Sequence, residues 1–147
     1  MRIRRTPRKH PLRRRRKRGR KGAAVVEFAV VSPVLILLLL GIFESGRMVM
    51  VQQSLTTAAR EGARAAIVEG TSTSAAIAVV ESFLAGAGVS RSTVTVTPNS
   101  TASVAHGQPI TVSVSVPFAQ VSWLPRPLFF RSTMLSSTAT MRRETPR

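Results

Sequence analysis

The chain changes hydrophobic period three times. Residues 23–43 (AAVVEFAVVSPVLILLLLGIF) are apolar on every side and carry one charge, Glu27. A helix of that length spans roughly 30 Å at about 1.5 Å per residue, the hydrocarbon thickness of a bilayer, so a transmembrane helix is predicted there. Over 44–70 the period becomes helical and one-sided. Met48, Val51, Leu55, Ala58, Ala59, Gly62, Ala65 and Ala66 recur near intervals of three and four, while Arg60, Glu61 and Arg64 take another side. This predicts that the helix continues past the membrane as an amphipathic extension. TSTS (71–74) interrupts it and supplies an N-cap, and SAAIAVVESFLAGAG (74–88) predicts a second helix ending at Gly86 or Gly88.

From there the period is two. STVTVTP (92–98) and ITVSVSVPF (110–118) alternate polar with apolar, and STMLSSTATMRRE (132–144) reads as a third strand. The fold class predicted is α+β: a single N-terminal transmembrane helix extended by an amphipathic helix, then a small helix on about three antiparallel strands. The segments are 1–22, a basic leader; 23–43, the span; 44–70, the extended helix; and 71–147, a small exported α+β region. The Ala/Gly stripe, with Ala59, Gly62, Ala63 and Ala66 as candidate packing positions, has two readings. Small residues let a neighbouring helix approach closely, or the helix rests on its own domain. WLPRPLFFR (123–131) is predicted to cover the open side of the core with Trp123, Leu128, Phe129 and Phe130; the competing reading is a membrane-interface or partner contact.

Charge sharpens this picture. The chain has 22 Lys and Arg against six acids, all Glu, and a net charge of +16. Thirteen of those basic residues fall in 1–22, a stretch with no acid, and the rest of the chain is +3. A like-charged, Pro-containing block has nothing to bury and is expected to be disordered. Directly before the span, it places the N-terminus in the cytoplasm and the remainder outside. A cleavable secretory signal is the competing topology, but the apolar run exceeds the roughly 7–15 residues of such a region.

Composition empties most of the catalytic inventory. Without Cys or Asp, and with only His10 and His106, the chain lacks the members of metal centres, triads and His-based acid/base pairs. No enzymatic activity and no cofactor or metal is expected. The basic tail suggests nucleic acid, but no aromatic residue interleaves it to stack on bases, and none is expected as a partner. Asn99-Ser100-Thr101 matches the glycosylation pattern, a short and often accidental signal.

Glu27 is the anomaly. A charge deep in a bilayer costs about 2.5–3.5 kcal/mol on insertion scales and normally faces a partner, although near a helix end it can also reach the headgroups. Lys21-Gly22, Ala23-Ala24-Val25-Val26 and Glu27-Phe28 at the head of an apolar helix resemble the processing site of type IV-like prepilins. The resemblance implies cleavage between Gly22 and Ala23 by a prepilin peptidase, with Glu27 becoming the fifth residue of the mature chain. Gly22 lets a protease approach extended backbone, and cleavage creates an α-ammonium at Ala23 one turn from Glu27. Pairing of the two, within or between subunits, would favour one axial register, which makes Glu27 and Phe28 candidate assembly residues.

Within that class, residues 20–66 are similar to the TadE family of the tight-adherence pilus system. Gly22, Glu27-Phe28, Pro33, the Leu run, Gly41, Glu44, Gly46-Arg47 and AREGARAA (59–66) carry the likeness, as does the closing TATMRRE (138–144). The family implies a non-enzymatic minor pseudopilin of the inner membrane, C-terminal region outside, that helps assemble or anchor a thin adhesive pilus. Its implied partners are the prepilin peptidase, other pilins or pseudopilins and inner-membrane lipids. The leader departs from the family in being longer and more basic, which suits it to anionic headgroups at about 1 kcal/mol per nearby Lys or Arg. Competing functions are a signal-anchored envelope protein of other structural role and a membrane-tethered nucleic-acid binder acting through the basic N-terminus.

Overall fold

The structure, a computed structural model, describes residues 19–101 and 104–143, with side chains described from residue 22 onward. Most of the basic leader, Ala102, Ser103 and the last four residues lie outside them. The element order is α1 (Gly19–Ala66), α2 (Thr73–Gly86), β1 (Thr93–Thr97), β2 (Pro109–Pro117), α3 (Phe118–Val121) and β3 (Met134–Arg142). The fold is α+β. The chain divides into two compact units, Met1–Leu37 and Leu38–Arg147, with the division inside α1. In the first, residues 22–37 are exposed apart from half-buried Ser32. The second holds the core.

Two boundaries of α1 differ from expectation. It starts at Gly19 rather than Ala23, so Gly22 lies within the helix. It ends at Ala66 rather than 70. There the bonding tightens, with the Val68 amide on the Ala65 carbonyl, and Gly70 takes φ +79° to turn the chain. Pro33 is accommodated inside the helix.

The sheet has the order β1-β2-β3, antiparallel throughout. Val96 pairs with Val112, and Val112 in turn with Ala139. Alternation in β2 buries Ile110, Val112, Val114 and Val116 on one face. On the other face, hydroxyl pairs bridge β2 and β3, Thr111 to Thr140 at 2.9 Å and Ser113 to Thr138 at 3.0 Å. The buried face packs against Val51, Leu55, Ala58, Ala59, Ala63 and Ala66 of α1 and Ala76, Val80 and Leu84 of α2.

The caps of α2 follow from its flanking residues. Ser72 accepts from the Ala75 amide at the N-terminus. At the C-terminus, Gly88 has φ +68°, its amide bonds the Ala85 carbonyl, and the Val89 amide bonds that of Leu84. That pair of bonds, with Val89 and Leu84 both buried, is a Schellman motif. Thr101 is buried; its hydroxyl donates to the Thr71 carbonyl at 2.7 Å and its backbone N–H donates to the Thr73 hydroxyl oxygen at 3.2 Å. The threonine of the glycosylation pattern therefore holds the α1–α2 turn to the β1–β2 connection.

Candidate functional site

At the end of the apolar run and just beyond it, α1 carries Gly41, Glu44 and Arg47 at intervals of three, and all three meet the segment that follows α3. Glu44 is 1% exposed, and its two carboxylate oxygens accept the amides of Leu128 and Phe129 at 2.6 and 3.0 Å. Arg47 is 8% exposed; its Nε donates to the Val121 carbonyl at 2.9 Å and Nη2 to the Gly88 carbonyl at 3.3 Å. Its guanidinium also lies 5.2 Å from the centre of the Trp123 ring, within cation–π range. A Cβ on Gly41 would stand 3.3 Å from the Phe129 ring. One helix face thus clasps the 121–129 loop and the C-terminal cap of α2.

The clasp alters the expectation for WLPRPLFFR. Only part of it covers the core: Pro127 is buried, and half-buried Phe130 meets the ring of Phe118 edge-on at 6.0 Å. Trp123, Leu128 and Phe129 face outward, at 62%, 53% and 58% exposure. The reason is the binding of the Leu128 and Phe129 amides to Glu44, which turns the backbone inward and leaves the side chains outside.

The predicted site residues fall into two groups. Gly22, Ala23, Glu27 and Phe28 lie on helix in the first unit, and all four are exposed. Ala59, Gly62, Ala63 and Ala66 are buried in the core of the second. A Cβ on Gly62 would overlap Val80 Cγ2 and lie 3.3 Å from Val112 Cγ1, so this glycine is where α1 passes closest to α2 and β2. Around Gly22 and Gly46, by contrast, a Cβ would meet nothing within 4 Å. Internal packing explains two of these helical glycines, Gly41 and Gly62, and leaves Gly22 and Gly46 unexplained.

Arg143 is a further buried cation, with Nη1 donating to the carbonyls of Thr101 and Val104 at 2.8 and 2.9 Å. Sequence reasoning named Glu44, Arg47 and Arg143 only through family likeness. The available signal was the pair of ionisable residues three apart immediately after an apolar run; each turned out to bind loop backbone. Among the described residues, no group of three or more His, Cys, Asp or Glu is placed to hold a metal.

Residues 22–64 match the family model of TadE-like protein, a pilus-associated structural family, and the match suggests a role in tight-adherence pilus systems. No curated protein and no solved structure matches the chain.

Proposed function

We propose that this chain, TadE-like over residues 22–64, is a minor pseudopilin that is cut between Gly22 and Ala23 and then helps assemble or anchor a tight-adherence pilus. The observation that carries the reading is Gly22 itself. The family match begins there, and no neighbour in the fold requires a glycine at that position. A glycine inside a helix costs about 1 kcal/mol relative to Ala, so a position kept free of a side chain without an internal reason points to an external one. A prepilin peptidase that must draw backbone into its site supplies that reason. The same weakness eases local unwinding of the first turns of α1 for cleavage.

In this account the leader sets topology and is removed, whereas the span remains as anchor in the inner membrane with the second unit outside. The new ammonium at Ala23 lies one turn from Glu27, which is exposed on the helix. In hydrocarbon an exposed carboxylate needs such a partner, and pairing between subunits aligns neighbouring helices axially. Gly46, also open, offers a point of close approach for another pilin helix. The test is co-expression with the prepilin peptidase. Wild type is expected to shift to the mass lacking 22 residues, and Gly22→Trp to stay full length; equal migration of both at full length refutes the cleavage.

A further inference from the structure

The 122–129 loop presents an apolar surface with few open backbone donors, and it sits beside the end of the apolar run. Pro125 and Pro127 have no N–H, the Leu124 amide is bonded to Ser122 Oγ at 3.1 Å, and those of Leu128 and Phe129 are bonded to Glu44. The Ser122 amide bonds the Phe118 carbonyl, so from Ser122 to Phe129 only Trp123 and Arg126, among the described residues, bring an amide without an internal partner. Low-dielectric surroundings penalise unpaired backbone groups by several kcal/mol each, and this loop has removed or satisfied most of its donors. Water imposes no such demand.

Position and composition agree with this. Phe129 packs at Gly41, within the last three residues of the apolar run, and Arg47 holds Trp123 and the Val121 carbonyl six residues on. Six helical residues rise about 9 Å, close to the roughly 5–8 Å that one headgroup layer adds to the hydrocarbon core. Exposed Trp123, Leu128 and Phe129 are flanked by exposed Arg126 and Arg131. Indole is enriched at that depth, and arginine reaches lipid phosphates from it. Ile42 and Phe43, exposed on α1 at the same level, extend the apolar surface.

We infer that the 122–129 loop is a membrane-interface anchor: Trp123, Leu128 and Phe129 enter the headgroup layer of the leaflet where α1 emerges, with Arg126 and Arg131 on the phosphates. Glu44 and Arg47 act as positioning residues that hold the loop at that height. The inference rests on the membrane-span reading of 23–43 and is independent of any role in a pilus.

Trp123 is the sole Trp, and there is no Tyr, so its fluorescence reports on this loop alone. The full-length chain is reconstituted into vesicles of phosphatidylcholine and phosphatidylglycerol. Separate samples carry lipid brominated near the glycerol or near the chain ends. The expected result is loss of most Trp123 emission to the shallow bromines and less to the deep ones. In Leu128→Ser/Phe129→Ser, altered only at exposed positions, most of that lipid quenching should be lost. Emission quenched by aqueous acrylamide and untouched by either bromolipid overturns the inference. Emission shielded from both, increasingly so at higher protein-to-lipid ratio, overturns it in favour of a protein partner. Vesicle flotation separates the premises: failure of the chain to float removes the anchor and the inference together, whereas floating protein with an unquenched Trp123 removes the inference alone.

Discussion

Replacing Gly62 by Ala should destabilise the second unit, although Gly→Ala in a helix interior ordinarily stabilises by about 1 kcal/mol. The added methyl overlaps Val80 Cγ2 and is tight against Val112 Cγ1, atoms on two different elements. Both neighbours are fully buried, so neither can swing into solvent. Inserting a methyl into a filled core costs about 1–3 kcal/mol, so overpacking offsets the propensity gain and leaves a net loss of up to about 2 kcal/mol. At about 4–8 °C per kcal/mol for a domain of this size, melting falls by up to roughly 15 °C. Gly46→Ala is the control, because open space surrounds that position and only the propensity gain remains, which should raise melting by several degrees. Circular dichroism melts of the full chain in detergent compare the two. A further check is Gly62→Ala/Val80→Ala, in which the overlap is relieved and the combined loss should be smaller than the sum of the single losses. If Gly62→Ala and Gly46→Ala stabilise alike, the close approach of α1 to α2 and β2 is wrong.

Glu44→Ala leaves two loop amides without their acceptor, at about 1–3 kcal/mol each, and should expose the loop to chymotrypsin at Trp123, Leu128 or Phe129; unchanged cleavage in limited proteolysis contradicts the clasp. Arg143→Ala should loosen the β1–β2 connection and speed amide hydrogen exchange over 101–108 more than in α2, since its guanidinium holds the Thr101 and Val104 carbonyls. Glu27→Ala should leave the melting of the second unit unchanged, because Glu27 lies in the first, while lowering pilus yield after normal processing; equal yield removes the assembly role.

Periodicity located the elements of the second unit because each has one dry face, and the span was legible by its unbroken apolar length instead. Alternating valines fixed the orientation of β2, and the stripe from Val51 to Ala66 fixed that of α1. The interior use of Gly62 was less legible, since small residues at helical spacing serve an own core and a partner helix equally well. Only the position of Val80 and Val112 distinguishes them. The clasp was hidden for a different reason. Glu44 and Arg47 suit a local ion pair on a helix, and nothing local states that their acceptors and donors are backbone groups 41 to 85 residues away. Hence the outward turn of Leu128 and Phe129 could not be read from WLPRPLFFR alone. The four-residue helix α3 likewise sits where the alternation of β2 ends, too short to have a period.

Where the membrane-bound chain begins decides whether the leader is removed and Glu27 becomes the fifth residue. N-terminal sequencing or intact-mass measurement of the protein extracted from cells that carry the pilus system is predicted to find Ala23 first, followed by Ala24-Val25-Val26-Glu27. A chain that retains the basic leader, or begins beyond the apolar run, contradicts it.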